Sequence, residues 1–314
     1  MSEWSGSEAA AIESVAVVGA GAMGAMYAAH LARAGVGVRL VARGERARRL
    51  TEQRLTVNGE SLDVPVWDAD TDAGKPVDLV LVAVKHQQLA GALDDVAALV
   101  GPQTTFLSVL NGLGSERQIA ERFGHPERVL PCIALAMDAE RAGTEIRFRQ
   151  AGRLVFGDPI ALSGPSERVR AVQALLDAAG LDWETPPDMR PQMWWKFMVN
   201  VGVNQASAVL DKPYGAFVED GPARWLMLAL MTEVIEVGRA EGVDLGVKDL
   251  ERWDHVLANQ PAEGITSMHQ DVLAGRSTEV DIFAGEVVEL GIRHSIPTPY
   301  NQTIHWILHA RMDA

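Results

Sequence analysis

The chain has 314 residues, 47% of them hydrophobic, and a formal net charge of −14. That length makes one large or two medium domains, and that composition fills a packed core and excludes a largely disordered chain. The acidic balance excludes nucleic acid and anionic membrane as general partners, and no apolar run reaches the length of a membrane span.

The first 13 residues lack the basic and apolar segments of a signal peptide and read as a loose tail. The stretch VAVVGAGAMG, Val15 to Gly24, then organises the first half. A short apolar strand leads into Gly19, Ala20, Gly21, Ala22, Met23 and Gly24, and a helix-prone segment follows. Strand, G-x-G-x-x-G and helix in that order form a dinucleotide site. The first glycine makes the turn, the second lets backbone approach the pyrophosphate, and the third lets the helix pack on the sheet.

A second strand is expected over Gly35 to Arg43. An NAD site carries an acid near the end of this strand; here Ala42 and Arg43 stand there. An arginine with no neighbouring acid suits a 2′-phosphate, so Arg43 is expected to bind NADP(H). Arg46, Arg48 and Arg49 crowd the same window, and a solvated helix face accounts for Arg48 or Arg49. A hairpin is expected over Leu55 to Val66, turning at Asn58-Gly59. Val77 to Lys85 is a near-continuous apolar strand of a covered parallel sheet, with Lys85 just past its C-terminal end, where ligands sit. Thr104 to Gly114 brings Asn111 to the next strand end, where it serves either an ordinary turn or a nicotinamide or substrate oxygen. Val129 to Ala136 reads as one strand, Glu145 to Gln150 and Arg153 to Phe156 as a hairpin, and Pro165 to Ala179 as a helix.

Three prolines, Pro186, Pro187 and Pro191, mark a change of texture, and helical patterns follow. The expected organisation is α/β: a Rossmann-type dinucleotide-binding domain over 14–187 and an all-helical substrate and dimerisation domain over 188–314. The helix Met193 to Leu210 is apolar nearly all round, broken by Lys196, Asn200, Asn204 and Ser207, which share one drifting stripe. Only five of the 28 basic residues are lysines. Arginine is therefore the default cation here, and a desolvated lysine can give up a proton where arginine cannot. Trp194, Trp195 and Phe197 are expected to lower the pKa of Lys196.

Helices are also expected over Ala223 to Ala240, Val247 to Asn259 and Pro299 to Arg311, the last capped by Thr298. Ser267 falls at a helix N-terminus, and Glu279 opens a helix as a favourable first-turn charge. His305 and His309 are spaced i, i+4, but with no acid motif beside them no metal is expected. The single cysteine, Cys132, permits no intrachain disulfide and fits a reducing cytoplasm.

The ordered set VVGAGAMG, VAVK, LNGLG, WWKFMVNVGVN, SMHQD and RSTEVD resembles the ketopantoate reductase (2-dehydropantoate 2-reductase) family over nearly the whole chain after the tail. The resemblance implies NADPH-dependent reduction of 2-dehydropantoate to pantoate, as in pantothenate and coenzyme A biosynthesis, in a groove between the two domains. It makes Lys196 the general acid and Glu279 the acidic partner that places lysine and substrate. Asn111 matches the asparagine touching nicotinamide and substrate, Asn200 and Asn204 the asparagines beside the lysine, and Ser267 a substrate contact. Arg43 and Lys85 match basic residues near the cofactor phosphate.

Tyr214 and Gly264 stand where some members carry asparagine, both on the substrate side. A reductase of another 2-oxo or 3-oxo acid, or an NADP-sensing protein without turnover, are the alternatives. The partners expected are a small 2-oxo acid and, as a homodimer, a second copy of the chain; Trp225 and Trp306 face either that contact or the core.

Overall fold

The structure, a computed structural model, describes residues 11–159 and 164–312. Residues 1–10 of the expected tail lie outside the described residues. Its last residues are not loose: Ile12 packs against the core, and the Glu13 N–H donates to Asp78 Oδ2 at 3.0 Å. The chain divides into two compact units. One runs to Leu110 and resumes at Gly114–Met189; the other combines Asn111–Leu113 with the chain from Arg190 onward.

The first unit is built on six parallel strands: β1 (Ser14–Val18), β2 (Gly37–Ala42), β3 (Val66–Asp68), β4 (Leu79–Val82), β5 (Thr105–Ser108) and β6 (Val129–Leu130). Their spatial order is β3-β2-β1-β4-β5-β6. This is the order of two mononucleotide-binding halves joined at β1 and β4, where the direction of winding reverses. Alternation along the strands covers both faces. Val15, Val17, Leu79 and Leu81 enter one core with residues of α1 (Ala22–Arg33). Ala16, Val18, Val80 and Val82 enter the other. Helices α2 (Gly44–Glu52), α3 (Leu89–Val96), α4 (Ser115–Phe123) and α5 (Glu167–Ala178) complete the unit. Leu89, Leu93 and Val96 of α3 pack into the second core, and Val169, Val172 and Leu176 of α5 into the first.

Several expected strands are re-paired. The Asn58-Gly59 turn does join a hairpin, but a short one, Thr56–Val57 with Glu60–Ser61. Val66 belongs instead to the edge strand β3, whose three residues are too few to show a period. The run Val129 to Ala136 is split by Pro131, which has no N–H for a ladder. Its first part is β6, and Cys132–Leu135 pairs antiparallel with Arg153–Phe156 in a separate sheet. The hairpin expected at Ala151-Gly152 does not form. Glu145–Arg147 turns back at Gly143 onto Glu140–Ala142.

The second unit holds α6 (Arg190–Val199), a π-helical turn over Asn200–Asn204, α7 (Gln205–Leu210), α8 (Pro222–Ala240), α9 (Val247–Ala258), α10 (Ser267–Leu273), α11 (Ala284–His294) and α12 (Pro299–Met312). Among its described residues there is no strand. The π-turn is held from two sides. Gly202 lies so close to Met231 of α8 that a Cβ there would come within 2.5 Å of it. Gln205 donates to the Val201 carbonyl at 2.8 Å and accepts from the Ala284 N–H at 3.0 Å. Buried Glu233 of α8, rather than Thr298, takes the first-turn N–H groups of α12. It accepts from Tyr300 at 2.8 Å and Asn301 at 2.9 Å, a favourable place for a carboxylate. Trp225 and Trp306 are 57% and 63% exposed, so neither belongs to the core. No helix among the described residues is long and apolar enough to cross a membrane.

Candidate active site

The glycine turn of the first unit is shaped by close approaches. Gly19 has φ +110°, and a Cβ on it would stand 2.5 Å from the Ala83 carbonyl oxygen. A Cβ on Gly24 would collide with the Gly19 carbonyl, so the helix packs tightly here. Gly21, by contrast, faces open space. Beyond it α1 begins at Ala22, with Met23 in the first turn, whose N–H groups lack intrahelical acceptors and suit an anion. A cavity of about 260 Å³ adjoins the turn at the C-terminal ends of β1 and β2. Gly19, Ala42, Arg46, Val84, Gln88 and Asp95 are among the residues lining it. These features fit a bound dinucleotide: a backbone cradle for its phosphates and a cleft beside it.

The basic residues are arranged differently from the expectation. Two carboxylates meet Arg43: its Nε donates to Asp95 Oδ1 at 2.5 Å and its Nη1 to Asp70 Oδ1 at 2.6 Å. The expectation of an arginine without an acid beside it is thus corrected. Both acids lie outside the window read, on α3 and in the loop after β3. Arg48 pairs with Glu45 and Glu52 on a solvated helix face, as anticipated for Arg48 or Arg49. Arg46 lines the cavity itself. Arg141 comes from a distant hairpin to donate to the Ala20 carbonyl inside the glycine turn. Its pKa is lowered, first by burial and then by the charges of Arg46 and Arg49. Nothing in the sequence near Arg141 signals this. Lys85 is exposed and does not line the cavity, although its neighbours Val84 and Gln87 do.

In the second unit, Lys196 lies on the last turn and a half of α6 and is part-buried. Burial lowers its pKa below the usual lysine range, and the Glu279 charge opposes that shift. The adjacent tryptophans face elsewhere, as successive helical positions must. Trp194 lies against Gly238. Trp195 donates to the Asp249 carbonyl at 3.2 Å and has the Arg252 guanidinium 3.8 Å above its ring. The desolvation of Lys196 thus accompanies a helix whose flanking tryptophans are themselves packed into the unit.

A line of side-chain amides begins one turn further on. Asn204 Nδ2 donates to Asn200 Oδ1 at 3.3 Å, Asn200 Nδ2 to Asn111 Oδ1 at 3.2 Å, and Asn111 Nδ2 to Glu279 Oε2 at 2.9 Å. The π-turn carries Asn200 and Asn204, a place where such turns often serve function. Asn111 does more than turn the chain: Gly112, at φ +91°, takes the turn, and its own side chain joins the line.

Ser207 leaves the expected stripe. Its Oγ donates to the Lys212 carbonyl at 2.7 Å and lies 3.1 Å from His269 Nδ1, whose Nε2 reaches Asp211 at 2.6 Å. Ser267 is exposed at the first position of α10, and buried Thr266 is the cap. Glu279 precedes a three-residue 3₁₀ turn, Val280–Ile282, and the α-helix itself opens only at Ala284. Tyr214 and Gly264 meet one another: the Tyr214 N–H donates to the Gly264 carbonyl at 2.9 Å, and a Cβ on Gly264 would stand 3.3 Å from the tyrosine ring. The histidine pair has an acid beside it after all, from outside its own helix: Asp281 reaches both rings.

Comparison with known proteins identifies the family and the fold. Residues 15–160 match the family model described as "Ketopantoate reductase PanE/ApbA", and residues 188–312 match "Ketopantoate reductase PanE/ApbA C terminal". A 2-dehydropantoate 2-reductase of Mesorhizobium japonicum is 31% identical, over 91% of this chain and 93% of the relative. A PanE/ApbA family ketopantoate reductase from Ralstonia eutropha superposes with a TM-score of 0.82 at 27% identity, covering 96% of this chain and 98% of that one. A D-mandelate dehydrogenase solved with NADH and anilino(oxo)acetate has a TM-score of 0.84 at 23% identity, covering 96% and 98%, a likeness of fold alone.

Proposed function

The chain belongs to the ketopantoate reductase family, and we propose that it reduces the ketone of 2-dehydropantoate to the alcohol of pantoate with NADPH. When bound, the reduced nicotinamide supplies the hydride that adds to the ketone carbon. Negative charge then grows on the ketone oxygen. Lys196 hydrogen-bonds that oxygen, stabilises the charge and delivers a proton. Its lowered pKa makes the proton easier to give, and the nearby Glu279 charge keeps the ammonium form available until it is needed. Acid catalysis of this kind contributes about 10²–10⁴-fold.

Glu279 is a positioning residue in this reading, anchored by Asn111. Asn200 and Asn204 turn their remaining amide groups to the hydroxyl end of the substrate, and the Ser267 hydroxyl meets its carboxylate. Gly19, Ala20, Gly21, Ala22, Met23 and Gly24 receive the pyrophosphate through backbone N–H groups and the end of α1. Arg46, Arg49 and Arg141 supply positive charge for the remaining phosphate, and Arg43 and Lys85 add to the positive field from outside the cavity lining. The observation that carries the reading is the amide line ending on Glu279, with a desolvated lysine under the influence of the same carboxylate. A sensing protein without turnover needs neither the lysine nor the acid.

The reading includes a cytoplasmic homodimer. One buried cysteine suits a reducing compartment, and the exposed Trp225 and Trp306 suit a contact between copies. The packing of Tyr214 on Gly264 favours, as a second reading, a different 2-oxo acid on the same machinery.

One experiment separates the readings: following NADPH absorbance with 2-dehydropantoate and with a panel of other 2-oxo and 3-oxo acids. Fast oxidation with 2-dehydropantoate is expected. Oxidation only with another acid supports the second reading, and NADPH binding with no oxidation by any acid overturns both.

A further inference from the structure

We propose that Asp281, His305 and His309 form a binding site for a divalent transition-metal ion of the zinc class, tying the 3₁₀ turn after Glu279 to α12. His305 and His309 lie one turn apart on α12, so both rings project from one face. Asp281 sits in the turn Val280–Ile282 and comes up against them. Asp281 Oδ1 stands 3.0 Å from His305 Nε2 and 2.8 Å from His309 Nε2, and the two Nε2 atoms are 3.2 Å apart.

Three lone-pair atoms thus form a nearly equilateral triangle. Ligands on a tetrahedral zinc ion, each about 2.0–2.2 Å from the metal, stand about 3.3 Å from one another. A modest opening of the triangle admits the ion, with each ligand on its usual bond. Without a metal, both rings can donate Nε2–H to the two lone pairs of Asp281 Oδ1; with the other tautomer, the same three atoms turn lone pairs toward one point. A single cation satisfies all three atoms together.

The rings cross edge to face with centroids 4.5 Å apart, so both Nε2 atoms converge and the rings do not stack in parallel. Gly285 borders them: a Cβ there would stand 3.4 Å from His305 Nε2. The side chains are open enough for an ion to enter: 61% exposed at Asp281, 25% at His305 and 40% at His309. Two imidazoles and one carboxylate suit zinc, cobalt or nickel and do not suit calcium or magnesium. Three protein ligands leave a fourth position for water. Because Asp281 lies two residues after Glu279, the ion braces the segment that carries that acid. Its effect is on local stability, and it takes no part in hydride or proton transfer.

Tag-free protein is stripped with chelator and titrated with Co²⁺, followed by visible absorption, and then with competing Zn²⁺. One saturable equivalent of Co²⁺ with the intense bands of low-symmetry coordination is expected, displaced by Zn²⁺. Zn²⁺ is also expected to raise the melting temperature of the parent. In His309→Ala and in Asp281→Asn the affinity should fall by about tenfold or more, and the thermal shift should vanish. Melting of both variants without metal shows that they are folded. Binding that never saturates, or that is unchanged in both variants, overturns the proposal.

Discussion

Asn111 Nδ2 donates to Glu279 Oε2 at 2.9 Å across 168 residues of sequence, fixing the carboxylate that also acts on Lys196. Burial pulls the Lys196 pKa down, and the Glu279 charge pulls it up. Glu279→Gln removes only the second influence, so the pKa falls further. The acid works when protonated, and activity is lost as pH rises through its pKa. The alkaline limb of log kcat/KM against pH should therefore move to lower pH in Glu279→Gln. Asn111→Ala should weaken substrate binding and move the same limb less, because the charge remains. A limb that stays in place in Glu279→Gln would separate the two residues functionally.

Phosphate recognition should depend on Arg46 more than on Arg43. Arg43 is held by Asp70 and Asp95, whereas Arg46 lines the cavity. Arg46→Ala is expected to raise KM for NADPH about tenfold or more, the effect of losing one charge-assisted contact of about 1.5–3 kcal/mol, with little change for NADH. Arg43→Ala should shift the two cofactors more evenly. Equal effects of Arg46→Ala on both cofactors would remove it from the phosphate site.

Tyr214 and Gly264 should be energetically coupled. A methyl group on Gly264 meets the Pro261 carbonyl at 3.0 Å and the tyrosine ring at 3.3 Å. Gly264→Ala is expected to cost about 1–3 kcal/mol by overpacking. Part of that cost should disappear in the Tyr214→Ala background, giving an interaction term above about 0.5 kcal/mol in a double-mutant cycle of denaturant unfolding. Strict additivity would mean that the ring gives way freely.

Glu116 supplies a test of stability against pH. Burial raises its carboxyl from 4.5 to about 7, although Ser115 Oγ donates to it at 2.9 Å. A raised folded pKa binds the proton more tightly in the folded state. The contribution is therefore full below pH 4.5 and is lost as pH rises towards 7. Glu116→Gln should flatten the stability profile over that window, by up to about 3 kcal/mol. An unchanged profile would mean that the carboxylate reaches solvent.

Much of the first unit was legible because its signals are local. The glycine turn, the apolar strands β1, β2 and β4 and the helix α1 each carry their own pattern within ten or twenty residues. β3 and the pairing of Cys132–Leu135 with Arg153–Phe156 were not legible, since three- and four-residue strands acquire partners only through tertiary packing. The same limit applies to the site. Lys196 stood out as a rare lysine in an apolar helix, and Asn200 and Asn204 stood out as polar groups on its buried face. The pairing of Arg43 with Asp70 and Asp95, the arrival of Arg141 at Ala20 and the meeting of Asp281 with two histidines all join segments far apart in the chain. Side-chain charge alone does not reveal such partners. The π-turn carries no local signal: a stripe spaced for a regular helix includes Ser207, whereas the extra residue per turn over Asn200–Asn204 shifts the register and Ser207 faces His269.

The most direct measurement is the turnover of Lys196→Ala with saturating NADPH and 2-dehydropantoate, alongside NADPH binding by fluorescence. kcat is expected to fall by about 100-fold or more while the cofactor still binds as in the parent. Turnover close to that of the parent would contradict it.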